Sequence, residues 1–389
     1  MKENLRHLRV FLAVADLGSI TRAAEACNVT QPAVTQATAK LERAAGTALF
    51  RRSTQGVFPT PAGEALVIRA RRAFALLDPA LSDLAPRLRL TATTAQLQAL
   101  IAMREAENFT LAARRLGRAQ PTVHRAITQL EQEAARPLFE RTSYGMVATR
   151  PAQALAQAAR LAFVELDQAE ADLAEATGRE AGGLTIGAMP LSRSHVLPRA
   201  IARFREARPR LPLRVLDGPY ADLLAGLRRG EIDFLIGALR DPAPIADVVQ
   251  EVLFLDDLAL VARHGHPLLS GRPITVEALS GFPWVVAPSG TPTRQHFDAM
   301  FAAANVPRPI SIVESGSMIL MRELLRLSDH LGCISRRQVA PELAQGTFAL
   351  LPRGVDGTER PIGLTFREGW APTRAQADFL NALRDVTAD

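Results

Sequence analysis

Apolar residues return at helical spacing from the start of the chain. Leu8, Phe11, Leu12 and Ala15 make one stripe, and Gly18 ends it. Ser19 is a good cap for a short second helix, Thr21 to Cys27, whose Ala23-Ala24 pair permits close approach. Asn28-Val29 makes a turn, Thr30 caps a third helix, and Pro32 falls in its first turn, where a missing N–H costs nothing. Val34, Ala37 and Leu41 form the inward face of that helix, so Gln31, Ala33, Thr35, Gln36 and Lys40 face outward. Leu49-Phe50 reads as a strand feeding the loop Arg51–Gly56, with Thr60 closing a small wing.

The same pattern then returns at an offset of 89 positions. Thr21 falls on Thr110, Gln31-Pro32 on Gln120-Pro121, Leu41-Glu42 on Leu130-Glu131, Leu49-Phe50 on Leu138-Phe139 and Thr60 on Thr149, without a gap. A register held that long is an internal duplication. In the second copy Asn108 keeps the cap of the short helix, whereas Ala119 replaces Thr30 and removes a cap worth about 0.5–2 kcal/mol. The outward positions become Gln120, Thr122, His124, Arg125 and Gln129.

A longer helix is predicted after each wing. Leu66, Ala70, Ala73, Leu77, Ala80 and Leu84 recur at spacings of four and three; so do Leu155, Ala159, Ala162, Leu166, Ala169 and Leu173. That is the seam of a two-stranded coiled coil, although a helix lying on its own domain fits an Ala-rich stripe as well. Pro79 is expected to break the first seam and Pro86 to end it, while the second runs unbroken from Ala152 to Thr177. Two dozen helical residues span roughly 36 Å, close to the one duplex turn of about 34–36 Å that separates adjacent half-sites.

Beyond Ala181-Gly182-Gly183 the period changes. Strand-like LTIGAM, LPLRVLDG and EIDFLIGAL alternate with helices around Pro198–Glu206 and Ala221–Arg229, which argues an α/β fold with a mostly parallel sheet. A second lobe starts near Asp256 with LALVARHGHPL, PWVVAPSGTPTR, a helix around Gln295–Ala304 and ISIVESGS. The chain is expected to return to the first lobe from about Arg353 and end in a helix around Thr373–Leu383. Two such lobes enclose a cleft for a small molecule. The predicted domains are residues 1–61 and 91–150 for the two copies, 62–90 and 151–180 for the helices after them, and 181–389 for the α/β part. Within that part, lobe I takes 181–255 and 353–389, and lobe II takes 256–352.

Charge sharpens this picture. Residues 8–61 hold six Lys/Arg against three Asp/Glu and residues 97–150 hold eight against five, whereas residues 181–389 are near neutral with 23 against 22. Both copies are therefore mildly basic, as a phosphate-facing surface needs. A short helix, a turn and a polar-faced helix make a major-groove reader. Gln pairs with adenine edges, Thr donates to a base or meets a thymine methyl, Lys holds phosphate or guanine, and Arg125 favours guanine. Thr30, Arg51, Arg52 and Thr54 of the first copy and Arg141 of the second complete the candidate DNA contacts. A helical bundle with polar outer faces and no ligand is the plain alternative.

ITRAAEACNVTQPAVTQATAKLE followed by LFRRSTQGVFPTPAG resembles the DNA-binding domain of LysR-type transcriptional regulators, and FTLAARRLGRAQPTVHRAITQLE followed by LFERTSYGMVAT resembles it equally. The part from residue 181 resembles the family's effector-binding domain along nearly its whole length. DGPYADLLAGLRRGEIDFLIGALRDP and LFLDDLALVARHGHPL look most like the branch named for regulators of a galactose-binding protein. The resemblance implies two winged helix-turn-helix domains with linker helices and a two-lobed, type 2 periplasmic-binding-protein-like effector domain. It implies dimer or tetramer formation through a linker helix, with Leu155, Ala159, Ala162, Leu166 and Leu173 as the contact. Promoter or operator DNA, a small-molecule effector and RNA polymerase are the partners it suggests.

In the family, effectors sit between the lobes against strand-end loops. Here those are Leu191, Ser192, Arg193 and Ser194 after Pro190; Gly218, Pro219 and Tyr220; Ser289, Gly290 and Thr291 after Pro288; and Ser315 to Ser317. Ser192 and Ser194 offer hydroxyls and helix-start N–H groups to an anion or polyol, and Arg193 with Arg294 could clamp a carboxylate. A sugar, a sugar acid or another small carboxylate is the effector class expected. Helix capping alone is the plain reading of each serine.

No HExxH, Walker A or GxSxG motif and no Cys/His cluster is present, so no enzyme, metal or cofactor is expected. His264-x-His266 before Pro267 reads as loop ornament. Cys27 and Cys333 lie too far apart in sequence to read as a redox pair, which suits a reducing cytoplasm. The charged start argues against a signal peptide, and no membrane span is expected; a nucleoid-associated cytoplasmic protein follows. Two alternatives stay open: a second copy kept for packing or dimerisation, and an architectural DNA-binding protein with a vestigial cleft.

Overall fold

The computed structural model describes residues 4–143, 145–240, 242–243, 245–271, 273–352 and 357–388. The chain divides into two compact units, Met1–Gly183 and Leu184–Asp389.

The first unit lays down one series of elements twice. Helices α1 (Leu5–Leu17), α2 (Ile20–Ala26) and α3 (Gln31–Ala45) lead to the hairpin β1 (Phe50–Ser53) and β2 (Gly56–Pro59), then to the long helix α4 (Pro61–Leu84). A short turn of helix, α5 (Leu88–Thr91), precedes α6 (Thr94–Ala106), α7 (Phe109–Leu116) and α8 (Gln120–Ala134). Hairpin β3 (Phe139–Thr142) and β4 (Gly145–Ala148) and long helix α9 (Arg150–Ala176) follow. Arg51 to Ser53 belong to the strand rather than to the loop expected from the sequence, since Phe50–Ser53 pairs with Pro59–Gly56.

Equivalence reaches single hydrogen bonds. The Glu42 carboxylate accepts from the Leu49 N–H at 2.9 Å, and the Glu131 carboxylate from the Leu138 N–H at 2.8 Å. The Val57 N–H donates to the Gly18 carbonyl at 2.9 Å, as the Met146 N–H does to Glu107 at 3.0 Å. Three turn positions adopt the left-handed conformation in both copies: Gly18 and Glu107, Asn28 and Gly117, Gly46 and Ala135.

Helices α4 and α9 pack along their length within this one chain. Arg136, just past α8, donates to the Asp83 and Leu84 carbonyls at the end of α4. A β-carbon on Gly46, just past α3, would lie 3.4 Å from Arg179, beyond the end of α9. Each long helix therefore starts at its own copy and ends at the other, and the two run antiparallel. Leu66, Ala70, Ala73 and Leu77 face Leu155, Ala159, Ala162, Leu166 and Leu173, every one at most 2 % exposed.

This corrects the expected contact between chains: the five seam residues of α9 are already covered by α4 and offer no surface to a partner. Pro79 is corrected as well, for α4 continues through it to Leu84. Its missing N–H loses one helical bond, and burial of Leu77, Leu81 and Leu84 holds the remaining turns.

In the second unit, lobe I opens with β5 (Leu184–Ala188), α10 (Pro190–Ser194), α11 (Val196–Ala207), β6 (Leu213–Leu216), α12 (Tyr220–Arg228), β7 (Phe234–Ala238) and β8 (Val248–Asp256). Lobe II holds β9 (Leu258–Arg263), α13 (Val276–Ser280), β10 (Trp284–Val286), α14 (Pro292–Ala303) and β11 (Ile312–Glu314), then α15 (Met318–Leu327), β12 (Leu331–Ser335), α16 (Arg336–Ala344) and β13 (Phe348–Leu350). The chain re-enters lobe I with β14 (Arg360–Arg367) and α17 (Arg374–Ala388); the return point expected at Arg353 lies outside the described residues.

The sheet orders are β6-β5-β7-β14-β8 and β11-β10-β12-β9-β13. Both sheets are mixed rather than mostly parallel, because β14 runs against β7 and β8, and β9 against β12 and β13.

Candidate nucleic-acid interface and effector cleft

The third helix of each copy presents the candidate reading face. Val34, Ala37, Leu41 and Ala45 bury one side of α3, and Val123, Ile127, Leu130 and Ala134 the same side of α8. Gln31, Ala33, Thr35, Gln36 and Lys40 are exposed on α3; Gln120, Thr122, His124, Arg125 and Gln129 are exposed on α8. Arg51, Arg52 and Thr54 on the first wing and Arg141 on the second are exposed too.

Thr30 caps α3 by accepting from the Ala33 N–H at 3.4 Å, while Ala119 makes no side-chain cap. His124 leans on the Phe109 ring, centroids 5.0 Å apart, and its Nδ1 meets the Thr128 hydroxyl at 3.4 Å. Gln120, Pro121, His124, Arg125, Thr128 and Gln129 line a shallow groove along α8. Such a face can accept hydrogen bonds from base edges and lay cations against phosphates.

In the second unit the four predicted loops follow β5, β6, β10 and β11. Within the sheets β5 lies between β6 and β7, and β10 between β11 and β12. Ligands of open α/β sheets sit outside such carboxyl ends. Side chains tie the loops in pairs. Arg193 meets Asp217 at 2.7 Å, joining the β5 and β6 loops. Arg294 meets Glu314 at 2.7 Å and Asp298 at 3.1 Å, and the Ser289 hydroxyl donates to Glu314 at 2.9 Å, joining the β10 and β11 loops. Hydrogen bonds from Ser289, and then Arg294, hold the exposed Glu314 carboxyl below its usual range. The two arginines expected to clamp a ligand carboxylate therefore hold protein carboxylates.

Three expected effector contacts face elsewhere. Leu191 is buried in the lobe I core. Ser192 is fully buried, its hydroxyl donating to the Met189 and Ile236 carbonyls at 2.7 and 3.0 Å. Tyr220 packs against the Leu223–Leu227 cluster, with Arg240 4.7 Å above its ring and its hydroxyl buried. Burial accordingly pushes the Tyr220 phenol up.

Ser194 gives its hydroxyl to the Leu191 carbonyl at 3.2 Å. Thr291 and Ser317 cap α14 and α15, and the Ser315 hydroxyl accepts from the Ser317 N–H at 3.0 Å. Gly218, Pro219, Ser289 and Gly290 are exposed.

The lobes are joined by groups that pattern reading missed. Asp256, at the end of β8, accepts from Arg360 at 2.9 Å and from the Ser335 hydroxyl at 2.7 Å, and all three are buried. Arg360 also donates to Thr293 on α14, across the lobes. The acidic pair Asp256-Asp257 inside apolar LFLDDLALV was the available signal, because a buried carboxylate demands a partner. His266, buried and accepting from the Leu268 N–H at 3.1 Å, closes its turn. Burial pushes the Cys333 thiol up to about 12. Among the described residues, no helix is long and apolar enough to cross a membrane.

Residues 177–388 match the LysR substrate binding domain, and residues 5–64 and 94–153 each match the bacterial regulatory helix-turn-helix protein, lysR family. The HTH-type transcriptional regulator GalR of Pseudomonas putida is 36% identical over 389 residues, covering 99% of this chain and 98% of GalR. The uncharacterized regulator YdcI of Escherichia coli K12 is 30% identical over 288 residues, 74% of this chain and 94% of YdcI. A full-length OxyR variant from Pseudomonas aeruginosa superposes with a TM-score of 0.54 at 22% identity, over 75% of this chain and 93% of OxyR. GalR and YdcI are named as HTH-type transcriptional regulators, and the two matched family models are a regulatory helix-turn-helix and a substrate binding domain of the LysR family. The chain belongs to the LysR-type transcriptional regulators.

Proposed function

We propose that both copies are winged helix-turn-helix readers, and that one chain engages an operator through α3 and α8 together. The observation carrying this is the recurrence, on a shared scaffold, of two exposed polar faces of different composition, Thr35-Gln36 against His124-Arg125. A solvated helix would be polar there in any case; what supports a reader is the set His124, Arg125 and Gln129, side chains suited to base edges and phosphates. Joined by α4, a helix of roughly 36 Å, the two readers suit successive major grooves about 34–36 Å apart.

Footprinting tests this. The native chain should protect a longer stretch than a single-reader relative. Arg125→Ala should weaken one half of that footprint by about 1–3 kcal/mol, and Gln36→Ala the other half. An Arg125→Ala protein with native footprint and affinity would show that the second copy does not read.

The effector is a sugar, a sugar acid or another small carboxylate held in the interlobe cleft. Support comes from four loops at strand carboxyl ends and from Arg193 and Arg294, whose carboxylate partners Asp217 and Glu314 a ligand anion could replace. Closure about the Asp256–Arg360–Thr293 junction is the two-state element through which the effector would bias DNA binding, with RNA polymerase reading the result. A thermal-shift screen of sugar acids should find a ligand that adds about 2.7 kcal/mol at 100 times its dissociation constant. An architectural protein with a vestigial cleft would show no such ligand.

A further inference from the structure

Buried between the paired linker helices is a polar cluster centred on Arg69 and Glu165. Arg69 donates to Glu165 at 3.1 Å, to Gln168 at 2.8 Å and to Asp172 at 2.8 Å. Arg72 forks onto Glu165 at 3.0 and 3.1 Å. Arg69 and Glu165 are each 5% exposed. At an offset of 89, Arg69 corresponds to Ala158, Arg72 to Leu161, Glu165 to Leu76 and Gln168 to Pro79. The apolar seam, by contrast, is nearly the same in both helices: Leu66, Ala70, Ala73 and Leu77 match Leu155, Ala159, Ala162 and Leu166. Over these four layers shape and hydrophobicity therefore do not tell α4 from α9, and the buried charges mark the largest difference between them.

We propose that Arg69, Arg72 and Glu165 select the unlike pairing of α4 with α9, so that every linker pair sets one first-copy reader against one second-copy reader and the DNA it recognises has two different halves. In the same antiparallel geometry, two copies of α4 would put Arg69 opposite Leu76 and Pro79, keeping only Asp83, and Arg72 opposite Leu76. Two copies of α9 would bury Glu165 against Ala158 and Leu161 with no cation. A buried charge stripped of its partner is strongly destabilising, and penalties on the wrong pair are how similar helices choose partners. The inference rests on the reading that both copies bind DNA, but its pairing half is testable without DNA.

Site selection from a random duplex pool with the full-length native protein should recover a motif of unlike halves. That motif should be preferred about tenfold or more over an inverted repeat of either half, which is about 1.4 kcal/mol. In Arg69→Leu/Arg72→Leu/Glu165→Leu the central ion pairs are replaced together by apolar side chains, while Gln168 and the part-exposed Asp172 lose Arg69. That variant should sediment as larger, concentration-dependent species and lose the preference. A triple-leucine protein that folds, sediments like the native chain and selects the same motif overturns the proposal. If the variant does not fold, the native motif decides: identical inverted halves overturn it, unlike halves uphold it. A native motif with a single half would sink the reading of α8 as a reader, and sedimentation of the leucine variant would still judge the pairing.

Discussion

The two copies differ most where backbone and DNA make separate demands. Their scaffolds agree down to the Glu42 and Glu131 bonds to the strand that follows and the three left-handed turns. Yet the first copy has a threonine cap on its third helix where the second has Ala119, and glycine at two turns where the second has Glu107 and Ala135. At these three positions the second copy holds the same backbone with poorer local chemistry, whereas at the remaining turn Gly117 stands where the first copy has Asn28. Its outward face carries His124-Arg125 where the first copy carries Thr35-Gln36, and both pairs are polar and exposed.

The sharpest way to break the comparison is at the shared seam. Leu77 and Leu166 occupy equivalent positions, 1% and 0% exposed. If α4 and α9 form one core within a chain, Leu77→Ala and Leu166→Ala should each cost about 2–5 kcal/mol and agree within about 1 kcal/mol. The urea midpoint of the helical transition should not move with protein concentration. A midpoint that climbs with concentration would place the seam between chains.

The helix caps come next in size. Thr30→Ala should destabilise by about 0.5–2 kcal/mol, and Ala119→Thr should stabilise by a similar amount. Equal, negligible effects in thermal melts would mean that the cap does not distinguish the copies.

Much of this was legible in the sequence because it is local. The duplication, the exposed faces of α3 and α8 and the seams follow from residue type and spacing. Pairing was not legible, because periodicity says which face of a helix is apolar and not which helix covers it; the seam of α9 was expected to meet another chain and meets α4. Nor was Pro79's accommodation, since a buried helix keeps turns that an isolated one would lose. Strand β8 went unread because burial does not alternate cleanly along Val248–Asp256, with Val249, Val252 and Leu255 all exposed. In the cleft, the loops could be placed from motif resemblance, whereas the inward hydroxyl of Ser192 depends on two carbonyls distant or unmarked in sequence. The junction of Asp256 with Arg360 joins residues 104 apart.

The smallest effect separates local strain from space. Ala135 sits at φ 53 and its counterpart Gly46 at φ 69. A left-handed L-residue costs about 1–2 kcal/mol, from which the added unfolded-state freedom of glycine takes back about 0.4–1 kcal/mol. Ala135→Gly should therefore stabilise by about 0.5–1 kcal/mol, and Gly46→Ala should destabilise by about as much. The room at Gly46 is sufficient, because an added β-carbon would stand 3.4 Å from the movable end of Arg179. The cost must then lie in the backbone, so urea midpoints of the two variants should shift in opposite directions. Loss of stability in both would show that the turn after α8 is held by contacts particular to Ala135, and that the second copy is not the more strained of the two.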